Sequence, residues 1–248
     1  LKYNLVDSLN TFYVLNKYWD VMVHDQQLDI YINLFRPALK NIIQMQLTGL
    51  PLDMERTKEV NEILLKEREG YLDIIRNKPI IVQVTQQLRQ DACDKKNQKL
   101  KTKVVHIEDF DNEFNPNSAL QLQLLLYDFM GLPIIEYTKA KAPATGAKVL
   151  DSLIHHCKSE EHKELVQALI DYSKIDKILT AFMPAFLAAP QAEDGWHYLY
   201  GFFNLGGTIS GRLSSSSPNL QNLPSTRSPY AKIIKSCFVA PPGWLFCD

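Results

Sequence analysis

Apolar residues recur at helical spacing along the first part of the chain. Between Tyr3 and Trp19 they return every three to four positions, which predicts an amphipathic helix. The same spacing begins again at about Leu28. Gly49 and Pro51 then predict the end of this second helix, because glycine adopts the left-handed conformation of a C-terminus and proline does not continue a helix.

Further helices follow from capping signals and from the same spacing. Asp53 is placed to cap a third helix over about residues 54–76. Asn117 or Ser118 is placed to cap another, whose apolar run stops at Gly131. Two more helices are predicted at about residues 145–156 and 161–183.

The pattern changes near Pro190. Residues 196–204, WHYLYGFFN, are typical of strands, and a loop rich in Gly, Ser, Pro and Asn follows at 206–229. Residues 236–240 and 244–248 are again strand-like. The sequence therefore predicts an α+β fold, mostly helical with strands towards the end, and a domain boundary near Pro190.

Composition and charge bound the class of protein. Of the 248 residues 46% are apolar and 22% are charged, which is typical of a globular protein. The net charge of -1 excludes a uniformly basic surface, so a nucleic-acid partner has to meet a local basic patch. The apolar run at 178–190 is too short to cross a bilayer, for which about 20 residues are needed. We expect no membrane association.

The cysteines and histidines do not predict a metal site. Four cysteines, at positions 93, 157, 237 and 247, are widely separated and lack the paired spacing of a zinc site. His155, His156 and His197 have no carboxylate or cysteine at ligand spacing. Without a signal-like segment, this cysteine usage predicts an intracellular setting.

A lysine-rich segment, DKKNQKLKTK, lies between two stretches of more mixed composition. With few apolar residues it predicts an exposed tip. Such a tip is either an ordinary solvated loop or a set of phosphate contacts that add affinity through counterion release. The sequence leaves both interpretations open. The lysines are Lys95, Lys96, Lys99, Lys101 and Lys103.

The segment NLGGTISGRLSSSSPNLQNLPSTRSPY combines one cation, short hydroxyls and planar amides on a flexible backbone. Arg212 can donate to a base edge or a phosphate, and Asn219 and Gln221 can both donate and accept. Such groups suit the minor groove, whose N3 and O2 acceptors recur at every base pair. By composition alone a surface linker is the alternative.

The order of residues in this segment is more informative than its composition. TISGRLSSSSPNLQNLP resembles the T-x-[ST]-GRLSS-x-x-PNLQN-[IL]-P stretch of family A DNA polymerases. The resemblance implies that Arg212 contacts the primer-terminal pair from the minor groove, with Asn219 and Gln221 on the template side. Ser214 and Ser215 are implied to contact the nearby backbone. The implied DNA-binding set is Thr208, Arg212, Ser214, Ser215, Asn219, Gln221, Asn222 and Arg227, to which the lysine-rich tip adds its five residues.

Other segments resemble the same family. PALKNIIQMQLTGLPLD resembles its entry to the thumb, FNPNSALQLQLLLYDFMGLP a thumb segment, and ALIDYSKIDKILTAFMPAF the helix that enters the palm. From about Ile80 to Asp111 no segment is matched. The resemblance implies the end of a 3'-5' exonuclease domain at 1–24, a helical thumb at 25–190 and the first strands of a palm at 191–248. The segment RSPY is slightly more similar to the phage-type members of this family.

YNLVD resembles the last motif of that exonuclease domain, Tyr-x3-Asp. Tyr3 and Asp7 fall on one face of a helix, where Asp7 could bind a divalent ion and Tyr3 could orient the attacking water. A surface pair is the alternative, because this spacing arises readily by chance.

Taken together, the resemblance implies part of a DNA-directed DNA polymerase that uses Mg²⁺ and deoxynucleoside triphosphates on primer-template DNA. Asp248 lies four positions after Trp244, whereas the family places a metal-binding aspartate six positions on, so Asp248 is not assigned as catalytic. Both ends look cut. The remaining palm and fingers polypeptide is thus an implied partner, and we expect the chain alone to be inactive.

Two other functions stay open. One is a duplex-binding subunit of a split polymerase that acts only when a separate palm and fingers chain joins it. The weaker one is a relative of RNase D-type exonucleases, which YNLVD suggests but which has no need of GRLSSSSPNLQN.

Overall fold

The computed structural model describes residues 2–100 and 103–246. The chain forms two compact units. The first combines the chain up to Arg56 with the chain from Ala185 onward, and the second is Thr57–Pro184. The helices and strands confirm the predicted mostly helical α+β class.

The first unit begins with helices. α1 precedes a short α2 and a π-helical turn that leads directly into α3. Gly49 ends α3 with φ 69°, and its N–H donates to the Met45 carbonyl at 3.2 Å. The predicted stop at Gly49 is therefore confirmed. The bounds are α1 Lys2–His24, α2 Leu28–Ile30, π-helical turn Tyr31–Phe35 and α3 Arg36–Thr48.

α1 is helical as predicted, but it has no buried face in this structure. Its apolar side chains are exposed on every side, including Phe12 at 68% and Trp19 at 38%. Apolar residues occur around the whole helix rather than in one stripe, so the expected amphipathic packing is not found.

Two small antiparallel sheets complete the first unit. β1 pairs with β2, placing Pro51 opposite Tyr198, and β3 pairs with β4. Each is a three-residue strand: β1 Leu50–Leu52, β2 His197–Leu199, β3 Phe202–Asn204 and β4 Ser214–Ser216. The run WHYLYGFFN is thus confirmed as strand-forming.

The core of the first unit lies where β1, β2 and the last short helix meet. Leu52 and Leu199 are buried from the sheet, and Phe186 is fully buried. The Phe186 ring packs edge-to-face on Phe238 at 5.2 Å between centroids. The helices that contribute are α9 Met183–Leu187, which crosses the boundary between the units, and α10 Ala231–Lys235.

The strand predictions after α10 are wrong where the structure describes them. Phe238 makes an isolated bridge with Leu52, and the rest of 236–240 is a turn and irregular chain. Residues 244–246 have no regular structure, and 247–248 lie outside the described residues. A strand needs a partner along its length, and here the contact with β1 is limited to this bridge and two backbone hydrogen bonds, Asp53 N–H to the Cys237 carbonyl and Val239 N–H to the Pro51 carbonyl.

The second unit is helical. Its first helix begins within the residues of the first unit, where Asp53 confirms its predicted cap, because its Oδ1 accepts from Arg56 N–H at 2.9 Å. In the FNPNS segment, Ser118 rather than Asn117 caps the helix that follows. The helices are α4 Met54–Arg76, α5 Pro79–Asn97, α6 Ala119–Gln123, which continues as a π-helical turn Leu124–Phe129, α7 Ala147–Leu153 and α8 Glu160–Ala181.

α8 is the centre of the core of the second unit. Leu165, Val166 and Leu169 are at most 2% exposed, and Ile75 and Leu125 pack in the same apolar cluster. α8 buries residues on most of its circumference, as expected of a helix surrounded by other elements. α5 falls in the segment that sequence reasoning left without a match, and it was not predicted.

Among the described residues, no helix combines the length and the apolar character needed to cross a membrane.

Candidate nucleic-acid interface

The polar loop predicted to read DNA is built on the ribbon of β3 and β4. Phe203 lies opposite Ser215, and the chain between the strands turns through Gly206 and Gly211, whose φ angles are 77° and 76°. A Cβ on Gly207 would lie 2.3 Å from Ser214 Oγ, so a larger residue there requires the Ser214 hydroxyl to move. The glycines of this segment therefore shape the loop.

Arg212 projects from this loop. Its side chain is exposed, and no salt bridge to it occurs among the described residues. The Thr208 hydroxyl donates to the Arg212 carbonyl at 2.7 Å, which folds the turn that carries the guanidinium. The guanidinium is left available to an acceptor outside the protein.

The two serines of the motif differ in their surroundings. Ser214 is half-buried, whereas Ser215 is 9% exposed. The Ser215 hydroxyl donates to the Pro218 carbonyl at 3.3 Å and accepts from Leu220 N–H at 3.2 Å. In this structure it therefore ties the strand to the turn that follows.

That turn, the 3₁₀ turn Leu220–Asn222, carries the predicted amides. Gln221 and Asn222 are exposed. Asn219 Oδ1 is buried and has no hydrogen-bond partner in the part of the chain that the structure describes, which leaves an acceptor that a donor could still satisfy. Arg227 follows the turn and is also exposed.

The lysine-rich segment lies in the second unit, at the end of α5. Lys95, Lys96, Lys99 and Lys103 are all exposed, and none forms an ion pair among the described residues. Lys101 lies outside the described residues. Local charge is therefore basic, as the sequence predicts, although the chain as a whole is nearly neutral.

A side-chain clamp closes the lysine-rich segment. Asn97 Nδ2 donates to the Val105 carbonyl at 2.9 Å, and Val105 N–H donates back to Asn97 Oδ1 at 2.8 Å. Cys93 is buried beneath this contact, and its thiol donates to the same carbonyl at 3.2 Å. These hydrogen bonds therefore hold in place the segment that carries the lysines on either side of Asn97.

Tyr3 and Asp7 lie one turn apart on α1, as predicted, and both are exposed. No group of three or more His, Cys, Asp or Glu side chains suited to a metal occurs in residues 2–100 and 103–246. Because a divalent ion takes several oxygen ligands, Asp7 by itself does not make a magnesium site. Its role as a metal ligand remains a prediction for a longer protein.

Sequence reasoning missed a residue that holds the ribbon. Phe203 N–H donates to Gln46 Oε1 of α3 at 2.7 Å. The two residues are 157 positions apart, and no local pattern in α3 marks Gln46. Only the observation that an edge strand needs partners for its N–H groups points to such a residue.

Hydrogen bonds and burial also perturb acid–base groups away from the loop. The hydroxyl of Tyr198, in β2, donates to Asp194 Oδ2 at 2.7 Å, which lowers the pKa of Asp194 and raises the pKa of Tyr198. In the second unit, burial raises the pKa of the Cys157 thiol and of the Tyr172 hydroxyl. None of these groups belongs to the predicted site.

Together, the fold and the loop define a class of mostly helical proteins. Their shared feature is a polar loop, shaped by glycines, on a two-stranded β-ribbon. The chain belongs to DNA polymerase family A, because the model of that family matches residues 82–248. The match includes the polar loop. It also covers most of the segment from Ile80 to Asp111 that the sequence resemblance left open.

Individual relatives agree with the family. The chain is 28% identical over 243 residues to DNA polymerase I of Caldicellulosiruptor bescii, covering 95% of the chain and 23% of that protein. It is 30% identical over 223 residues to the DNA polymerase of Escherichia phage T5, covering 89% of the chain and 22% of that protein. The chain therefore spans less than a quarter of either relative.

A solved structure has the same fold. The POL domain of Pol1 from M. smegmatis, in complex with DNA primer-template and dNTP, superposes with a TM-score of 0.67. The match covers 90% of this chain and 32% of that one at 20% identity.

Proposed function

We propose that this chain is part of a DNA-directed DNA polymerase and that it binds primer-template duplex. In this proposal the helical segment at 25–190 is the thumb, 191–248 begins the palm, and 1–24 ends an exonuclease domain. The relatives are DNA polymerases, and the M. smegmatis domain was solved with primer-template DNA, which supports the substrate class. The setting is intracellular, in keeping with bacterial and phage relatives.

The observation that carries the proposal is the polar loop on the β3–β4 ribbon. It presents Arg212, Gln221 and Asn222 to solvent on a backbone that the glycines and internal hydroxyl contacts fold. A polymerase has to grip every correct base pair alike, which favours minor-groove acceptors common to all pairs. Arginine and amide side chains are suited to donate to them.

The lysine-rich segment is proposed as a second contact, to phosphates. Four described lysines without acidic partners on a clamped segment provide sequence-independent attraction. Lys101 is assigned to the same set by its place in the sequence.

In the complete enzyme, Mg²⁺ and the triphosphate belong to palm and fingers elements that this chain does not supply. The residues described here do not fit a catalytic metal site, and we assign them no step of nucleotidyl transfer. Their proposed contribution is to bind and orient duplex DNA. The remaining palm and fingers polypeptide is accordingly a proposed partner.

Equilibrium binding to a fluorescent primer-template duplex tests the proposal. Arg212→Ala is compared with Arg36→Ala, which removes an exposed arginine of α3. We expect Arg212→Ala to weaken binding by about tenfold, in the range of a single base contact, and Arg36→Ala to bind like the native chain. Absence of binding at low salt, or equal affinities for the two variants, would overturn the proposal.

The lysine-rich segment is tested through salt dependence. Replacing its five lysines by glutamine should reduce the slope of log K against log salt by about 0.9 for each phosphate that the segment no longer neutralises. The control is a chain with five other lysines replaced, which has the same net charge. An equal change of slope in both chains would show that net charge rather than this segment attracts the duplex. The control positions are Lys17, Lys40, Lys58, Lys66 and Lys158.

A further inference from the structure

A side chain of α3 forms a hydrogen bond with the β3–β4 ribbon. Phe203 N–H donates to Gln46 Oε1 at 2.7 Å. A two-stranded ribbon is only marginally stable in water by itself, and an N–H on its open edge needs a partner. Gln46 supplies that partner from a 13-residue helix.

The anchored residue is connected to the turn that carries the amides. Phe203 lies opposite Ser215 in the ribbon. The Ser215 hydroxyl contacts both Pro218 and Leu220 through hydrogen bonds, at the start of the turn Leu220–Asn222. A displacement of Phe203 would therefore be passed to Ser215 and then to the turn.

Packing between α3 and the turn is incomplete. A cavity of about 390 Å³ is lined by Met45 and Thr48 of α3 and, on its other side, by Leu220 and Gln221. Because this pocket is open to solvent, the side chains that line it pack against fewer neighbours than in a closed interior. Beside this pocket, the Gln46 hydrogen bond is a fixed link between α3 and the ribbon.

We propose that Gln46 is a positioning residue for duplex binding. Through Phe203 and Ser215 it sets the placement of the Leu220–Asn222 turn and of the loop that carries Arg212. Gln46 itself contacts no DNA. This inference rests on the proposed function, because the placement of these side chains matters for binding only if they contact the duplex.

Three variants separate the hydrogen bond from the bulk of the side chain. Gln46→Met removes the acceptor and keeps the length, and Gln46→Glu keeps an acceptor. Gln44→Met is the matched control, because Gln44 lies on the same helix but its amide donates within the helix, to Thr48 at 3.1 Å. Gln46→Asn leaves its acceptor one methylene short, and it replaces Gln46→Met if that variant does not fold.

Duplex affinity and its salt slope are measured well below the lowest thermal midpoint of the variants. We expect Gln46→Met to weaken binding about three- to tenfold, the range of one hydrogen bond, with an unchanged salt slope. Gln46→Glu should bind like the native chain, and so should Gln44→Met. A role in stability alone would lower the midpoint and leave affinity unchanged, and that result would overturn the inference.

Combination with Arg212→Ala gives the decisive comparison. If Gln46 acts by placing the loop, Gln46→Met should weaken binding less in the Arg212→Ala background than in the native one. Full additivity, or a Gln46→Glu variant as weak as Gln46→Met, would overturn the positioning role. If Arg212→Ala itself leaves binding unchanged, the proposed function fails. If only Gln46→Met is without effect, the inference about Gln46 fails alone.

Discussion

Asp176 joins three elements of the second unit through its two carboxylate oxygens. Oδ1 lies 3.3 Å from Arg68 Nη1 on α4, and Oδ2 accepts from Asn117 Nδ2 at 3.0 Å. The same Asn117 amide donates to the Tyr172 hydroxyl at 3.2 Å. The side chains of Asp176 and Arg68 are 13% and 29% exposed. Because the pair is largely shielded from water, removing one partner is costly.

Asp176→Ala should therefore reduce the free energy of unfolding by about 3–5 kcal/mol, since Arg68 keeps its charge and loses its partner. Asp171→Ala is the control, because Asp171 forms an ion pair one turn away with the more exposed Lys174. Such a surface pair contributes about 0–1 kcal/mol. Urea denaturation measures both. Equal losses would contradict the assignment of a buried network.

Asp194 offers a prediction about pH. Its carboxylate accepts from the Tyr198 hydroxyl and from Trp196 N–H, and these bonds lower its pKa. A lowered folded pKa means that the stabilisation is present above the ordinary range of an aspartate and is lost as the pH falls through the folded value. Tyr198→Phe should move the pKa of Asp194 back up, as followed by carboxyl NMR. Tyr200→Phe, at the next aromatic residue along the chain, should leave it unchanged.

The motif hydroxyls show where residue-scale prediction from sequence stops. GRLSS and PNLQN mark the loop, and the structure brings these residues together on one ribbon and turn. Pattern alone does not separate Thr208 and Ser215, whose hydroxyls bond within the loop, from the exposed Arg212. Their roles towards DNA remain predictions. Nor does pattern reveal Gln46, because its contact depends on the tertiary fold.

At the scale of elements, long periodic helices were predictable, and α4 and α8 lie close to their predicted bounds. α5 was missed because its last turns are polar and lysine-rich, although Ile81 and Val84 are buried at its start. The strand predicted at 236–240 failed for another reason. Apolar content alone does not make a strand, and only Phe238 finds a bridge partner.

At the scale of elements, replacing each of two glycines by alanine should change the stability of the protein in opposite directions. Gly49 has φ 69° and ψ -177°, a region that only glycine readily adopts, and a Cβ would lie 2.9 Å from the Tyr200 ring. Gly49→Ala should destabilise the protein by about 1–3 kcal/mol. Gly70 lies within α4 with nothing near a Cβ. Gly70→Ala should therefore stabilise by about 0.5–1 kcal/mol.

Thermal and urea unfolding of both alanine variants measure these changes. A stabilised Gly49→Ala variant would mean that the end of α3 is not in the left-handed conformation described here. A destabilised Gly70→Ala variant would mean that the exposed side of α4 makes a close contact at this position.

At the scale of the whole molecule, the two units defined by contacts differ from the two domains that the order of the sequence predicts. The sequence pattern changes near Pro190, whereas the first unit takes up both ends of the chain and encloses the second in sequence. Periodicity does not show that β1 and β2 pair across the intervening helices, because the partners are about 150 positions apart. The thumb and palm boundaries themselves stay predictions.

The second unit should fold without the first. Its apolar cluster runs from Ile75 to Tyr172, so every described residue of that core belongs to Thr57–Pro184. A fragment of residues 53–184, which keeps the Asp53 cap of α4, should therefore unfold cooperatively in urea. A fragment of residues 53–158 is the control, because it lacks α8 and with it Leu165, Val166 and Leu169. We expect the control to show no cooperative transition, since the remaining helices lose the element against which they bury their apolar faces. If 53–184 also unfolds without a cooperative transition, the core described here requires the first unit, and the two units are a single folding domain.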